Sequence, residues 1–204
     1  MLRLIVIAML LNIANACSLG GGPVPQDHFY KFPEVQLDAQ VEPVFNEIVI
    51  KPVKSSGLYH ERAILFIESD KPLEMRRYHY NFWSTTPAEL IHNALYQGLQ
   101  SSKIARHIAR DLSALTADYI IDSRIVRFER IIKNQSARDL VGIEVALEIS
   151  VRKGGVAGLV WTKRYSVSDA LQTTDMHLSA QAFGDALKDI AGQLVADLIV
   201  LNKN

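Results

Sequence analysis

The chain has 204 residues, 49% of them hydrophobic and 22% charged, a balance that suits a packed globular domain and excludes a disordered, self-repelling tail. Lys and Arg together number 22, as do Asp and Glu, so the formal net charge is zero and no global field draws the protein toward nucleic acid. The single cysteine, Cys17, has no partner within the chain.

Taken from its start, the sequence opens with Arg3 and then an apolar run over residues 4–13 broken only by Asn12. One positive charge followed by about ten apolar residues is the layout of a secretory signal, and the run is half the roughly 20 residues that a spanning helix needs. Residues 1–16 are therefore expected to be a signal peptide. No later stretch is long and uncharged enough to span a bilayer, so the mature chain is expected to lack a transmembrane helix. Ala14-Asn15-Ala16 is a small-x-small site that general signal peptidase accepts, and the same stretch resembles a bacterial lipobox ending on Cys17, with Ala14 where Leu is usual and Asn15 bulkier than the norm. Both cleavages leave Cys17 at the new N-terminus. An exported free thiol is a reactive liability, and thioether lipidation removes it, which makes Cys17 the candidate acylation site. Residues 17–26 then form a tether, loosened by Gly20, Gly21 and Gly22 and kept from helix by Pro23 and Pro25. Ten such residues reach about 15–20 Å end to end.

Residues 27–204 are expected to form one domain without internal repeats. Strands are predicted over 47–53, 62–68 and 76–83, the middle one apolar on both faces around Ile64-Leu65-Phe66 and so placed centrally in a sheet. Thr86-Pro87-Ala88-Glu89 is a capping box with proline at the first helical position, and Leu90, Ile91, Ala94, Leu95 and Leu99 continue as one apolar stripe. Were that helix to continue past Ser101-Ser102, Lys103, Arg106, His107 and Arg110 would share a basic face. A mixed pattern over 119–132 fits a strand with a β-bulge. Residues 141–152 alternate strictly between large aliphatic and small or charged side chains, Lys153-Gly154-Gly155 supplies a turn, and Leu159, Trp161, Tyr165 and Val167 mark the return strand of a hairpin. A last helix is predicted over 179–201, with Phe183, Leu187, Ile190, Leu194 and Leu198 buried and Ala182, Ala186 and Ala191 permitting close approach to the sheet. The fold class is α+β: a mixed or antiparallel sheet of about six strands, ordered three strands, helix, three strands, helix, with both helices on one face.

The six histidines are scattered, none in an HExxH motif or at metal-ligand spacing from a His or Cys, and neither a G-x-S-x-G elbow nor a phosphate-cradling glycine loop is present. The pattern points to no catalytic residue, no metal and no cofactor. Tyr78, Tyr80, Phe82 and Trp83, directly before the capped helix, are candidates either for core or for a groove that takes a peptide or an acyl chain; Tyr78, Tyr80 and Trp83 are carried forward as the groove candidates.

These pieces resemble a family. Phe29-Tyr30-Lys31-Phe32 stands where a Tyr-x-Leu-like segment is found in it, residues 48–53 resemble its opening Ile-x-Val-x-Pro-Val strand, and Arg77-Tyr78-His79-Tyr80, Trp83 and Thr86-Pro87-Ala88-Glu89-Leu90 follow in order. Together they look like the ABC-type transport auxiliary lipoproteins, which include the outer-membrane lipoprotein partner of the paraquat-inducible MCE (mammalian cell entry-type) lipid transport system. Phe82 replaces an Arg frequent before the tryptophan of the family. The resemblance implies a non-enzymatic protein on the periplasmic side of the outer membrane, anchored through Cys17. It implies an MCE-domain protein and the permease and ATPase of an ABC transporter as partners, and phospholipid or another hydrophobic solute as cargo; a homo-oligomer is compatible with it. The residues alone leave two other readings open: an outer-membrane assembly lipoprotein that chaperones a barrel or lipopolysaccharide, and a lipid-active hydrolase whose groups converge only in space.

Overall fold

A computed structural model describes residues 24–110, 117–135, 138–155, 158–171 and 173–202. The signal peptide and Cys17 lie outside the described residues, as does most of the tether. Eight strands and two principal helices follow in the order β1 (His28–Tyr30), β2 (Phe45–Ile50), β3 (Ala63–Glu68), β4 (Met75–Trp83), α1 (Pro87–Ser101), β5 (Ala105–Arg110), β6 (Tyr119–Gln135), β7 (Arg138–Lys153), β8 (Gly158–Leu171) and α2 (Met176–Leu201), with a 3-10 turn at Gly57–His60.

All eight strands join one sheet, and its spine is β6. Along one edge β6 pairs antiparallel with β7, which continues into β8. Its other edge is shared head to tail by two parallel strands: β2 pairs at Ile48↔Tyr119 to Ile50↔Ile121, and β3 pairs at Phe66↔Arg130 to Glu68↔Ile132. From β2 the sheet goes on to β5, and from β3 to β4 and β1, so the sheet forks. The sheet is mixed: β1·β4, β2·β5, β2·β6 and β3·β6 are parallel, while β3·β4, β6·β7 and β7·β8 are antiparallel.

The expected six strands become eight, four before α1 and four after it. Neither extra strand carries a periodic signal. β1 is three residues long and exists through its ladder to Asn81–Trp83. β5 reads Ala-Arg-His-Ile-Ala-Arg and is held by parallel pairing to β2. It also replaces the conditional basic helix: α1 stops at Ser101, and Lys103 takes a left-handed φ of 52°, which turns the chain back into the sheet. The bulge in the spine is present, between Ile125 and Arg127, and β3 is central, between β4 and β6.

Both helices lie on one face. The alternation of β7 sends Ile143, Val145, Leu147, Ile149 and Val151 into a single core with Leu95 and Leu99 of α1 and Leu187, Ile190 and Leu194 of α2, and buries Val141 as well. The opposite face is wet, and cross-strand ion pairs line it: Arg124 forks onto Glu148 at 2.6 and 3.0 Å, Arg127 binds Glu144, and Arg152 Nε donates to Asp122 at 2.9 Å. Each exposed pair contributes at most about 1 kcal/mol, so the buried aliphatic face carries the stability.

Helix ends follow local rules with one departure. Thr86 Oγ1 accepts from the Glu89 N–H at 3.3 Å, but the Glu89 carboxylate binds the Thr85 hydroxyl instead of closing the capping box. Asp175 caps α2, taking the His177 N–H at 2.6 Å and starting that helix three residues before Ser179. Ala191 of α2 serves a helix-helix contact: a side chain on Gly98 would come within 2.8 Å of its Cβ. Residues 31–44 form a strap over the helices, where Val35 N donates to Gln97 Oε1 at 3.2 Å and Leu37 N to Ser101 Oγ at 3.0 Å.

Candidate functional site

The aromatic cluster singled out in the sequence sits on β4, and a register slip decides where its members point. Ala63 faces Phe82 and Leu65 faces Arg77, so two steps along β3 correspond to five along β4. The surplus bows the Tyr78–Asn81 stretch away from a regular ladder and breaks the simple alternation that would have lined up its rings.

Three candidates consequently have three different surroundings. Trp83 is 1% exposed and packs in the core, its ring 5.4 Å from Phe128, 5.3 Å from Phe183 and 5.0 Å from Phe32 between centroids. Tyr78 is half-buried, 4.6 Å from Phe66, and its hydroxyl accepts from Arg130 Nη1 at 2.6 Å. Tyr80 is 46% exposed. Tyr78 is the member that lines an open cleft of about 610 Å³, together with Phe29, Arg62, Arg77, His79 and Phe82; Asp27, Glu61 and Ala63 complete the wall.

The cleft has a layered construction. Phe29 of β1 stacks on Phe82 of β4 at 5.7 Å, and the Arg62 guanidinium lies over the Phe29 ring at 5.2 Å while its Nε donates to the Trp83 carbonyl at 3.1 Å. Arg77 is taken by Glu61 at 2.8 Å. Arg62 has no carboxylate partner among the described residues.

Two buried charges stand on β6: Arg130, and Glu129, an acid whose partners the sequence alone could not assign. Arg130 is 2% exposed, on the core side of β6 opposite Ile143; besides Tyr78 it reaches the Thr174 carbonyl at 2.9 Å, just before α2, and its Nε has no partner. Burial holds the guanidinium below its ordinary range and pushes the Tyr78 hydroxyl up. Glu129 is 1% exposed; its Oε2 accepts from the Phe128 N–H at 2.6 Å and the Tyr59 hydroxyl at 2.8 Å, and Arg127 Nε stands 3.5 Å from Oε1. Burial raises the Glu129 carboxyl and also raises the Tyr59 hydroxyl. The bulge preceding Arg127 is the signal that could have found Arg130, since it reverses the parity that hydrophobic alternation assumes.

These groups brace the scaffold. Arg130 ties β6 to β4 and to the start of α2, and Glu129 occupies the fork where β2 and β3 part. A Ser–His contact joins Ser55 Oγ to His60 Nδ1 at 2.8 Å, but it is exposed and no carboxylate orients the imidazole among the described residues, so the base–orienter half of a hydrolytic triad is missing. No group of three or more His, Cys, Asp or Glu residues among those described could hold a metal ion.

The model of the ABC-type transport auxiliary lipoprotein component family matches residues 30–195. The chain belongs to that family. The matched span runs from the end of β1 through most of α2 and so includes the cleft strands and the β6 spine. Members are auxiliary components of ABC-type transport, and this protein accordingly has a non-enzymatic role in association with ABC transport machinery. Among solved structures, protein XCC0632 from Xanthomonas campestris superposes with a TM-score of 0.73 at 18% identity, covering 86% of this chain and 97% of its own. A second crystal structure, described as an uncharacterized protein, gives 0.60 at 10% identity, covering 84% and 99%. At these identities the likeness establishes a shared fold. No curated protein matches the sequence. None of the described helices is long and apolar enough to cross a membrane.

Proposed function

We propose that this family member is the outer-membrane mount of an MCE-type lipid transport system. Residues 1–16 direct export, Cys17 is acylated on its sulfur and new amino group, residues 17–26 are the tether, and residues 27–204 are the body that receives the periplasmic assembly. Two or more acyl chains anchor stably where one does not, because each buried methylene contributes about 0.8 kcal/mol. The observation that carries this reading is the family match over residues 30–195, combined with a lone cysteine placed between an apolar leader and a glycine-rich linker.

In this reading the cargo is phospholipid or a similarly hydrophobic solute, and the body works as a homo-oligomer docked to an MCE-domain protein, with the permease and ATPase across the periplasm. The cleft beside Tyr78 and the exposed Tyr80 supply the groove, and Trp83 fixes β4 from behind. The test is metabolic labelling with palmitate followed by affinity capture from detergent-solubilised envelopes. Wild-type protein is expected to carry label and to bring down the MCE, permease and ATPase subunits, and Cys17→Ser to lose the label. Capture of a barrel-assembly complex in their place, with lipid transport intact in a deletion strain, would replace this function with a chaperone role.

A further inference from the structure

The cleft on β1 and β4 has a feature that an ordinary protein-binding groove does not require: it lies where the chain enters the body. β1 is the outermost strand, and the residues before it, Val24 to Asp27, are exposed. Ten residues separate Cys17 from His28. A flexible segment of that length reaches about 15–20 Å, so a bilayer holding Cys17 would be kept within one tether length of this edge and of no other part of the sheet by necessity.

The composition of the edge suits that neighbour. Phe29 is 56% exposed in spite of its size, and Tyr80 is 46% exposed on the adjacent strand. Amphipathic clusters of rings and cations favour the layer between water and hydrocarbon, where rings meet the acyl boundary and guanidinium groups meet phosphate. The charges of the cleft are two guanidinium groups, Arg62 and Arg77, and two carboxylates, Asp27 and Glu61, with His79 beside them. This is a paired, nearly neutral set. It matches a headgroup that itself carries one phosphate and one ammonium group, with Arg62, which has no carboxylate partner among the described residues, facing the phosphate and the acidic wall facing the ammonium.

We infer that the groove's ligand is the membrane: the Arg62–Phe29–Phe82 stack rests on zwitterionic phospholipid headgroups of the bilayer that holds the anchor, and fixes the orientation of the body relative to it. The inference rests on acylation at Cys17 and adds to it a face, a ligand class and an orientation. A body held by acyl chains alone would tumble at the end of its linker; a body that also rests on Phe29 and Arg62 presents β8, the opposite border of the sheet, away from the membrane.

The sole native cysteine makes the test clean, since acylation consumes it. Full-length protein carrying His79→Cys, or Ser166→Cys on β8 as the distal reference, is isolated from membranes, labelled with an environment-sensitive dye and reconstituted in vesicles containing lipid-borne quencher. In purely zwitterionic vesicles, quenching is expected at position 79 and not at 166. Adding Phe29→Ser and Arg62→Ser should abolish it while the protein still floats with the vesicles; Arg62→Lys should retain part of it, and an unchanged unfolding midpoint shows that the body is intact. Equal quenching at both positions, or quenching at 79 that appears only with anionic lipid, would overturn the headgroup contact while leaving the anchor standing. Failure of the parent protein to float would overturn anchor and contact together.

Discussion

The two ends of the sheet are built on opposite plans. The β6–β7–β8 meander is long and two-faced, each ladder broken by a single one-residue bulge, with five alternate aliphatic residues of β7 in the core cluster and ion pairs on the wet side. The β3–β4–β1 end is short and irregular, with surplus residues in β4 and exposed rings on its outermost strand. Regular pairing spends the whole side-chain repertoire on folding. A slipped register frees side chains from that duty, and here it frees the ones that build the cleft.

The sharpest way to break the comparison is at Trp83, which sits on the irregular strand but faces the core. Trp83→Ala should cost about 3–5 kcal/mol in chemical denaturation, as a buried aromatic does, and a value near zero would place the boundary between the two plans in the wrong position. Leu147→Ala in the meander, at 0% exposure, should cost about 2–5 kcal/mol. Gly142→Val tests the closeness of β7 and β8, because a side chain there would meet the Asp169 carbonyl oxygen at 2.7 Å; about 1–3 kcal/mol of overpacking is expected.

Glu129 gives a pH test of the fork. Its carboxyl is raised by burial, so the folded protein holds that proton more tightly than the unfolded chain does. The associated stability is present below the unfolded value of about 4.3 and is lost as pH rises through the folded one. Thermal unfolding of wild type and Glu129→Gln should therefore diverge in favour of the variant as pH is raised from 4 toward 7; parallel curves would show that Arg127 fully offsets the burial. The smallest effect is expected at the cleft: Phe29→Ser should change the unfolding free energy by no more than about 0.5 kcal/mol, since the residue is largely exposed.

What could be read in advance follows the same division. The alternation of Val141 to Val151 and the Thr86-Pro87 start of α1 were legible because each encodes its structure within a few residues. β1 and β5 were not, because both borrow their geometry from a partner strand far along the chain. The aromatic residues of β4 were recognised as a group, but their separate surroundings depend on the slip against β3, which no local pattern reports. Arg130 was hidden for a related reason: one extra residue at the bulge moves a cation onto the side of the strand where aliphatics belong.

The shared edge of β6 also has a consequence for biosynthesis. β2 and β3 find their common neighbour only after a detour, Ile48 meeting Tyr119 and Phe66 meeting Arg130. A polypeptide made from its N-terminus onward delivers β1 to β5, with α1, before the strand that unites those pieces. Contacts so remote along the chain make for slow closure, and the apolar middle strand is without its mate for that interval. The front half of this protein therefore stays open until its keystone strand is in place.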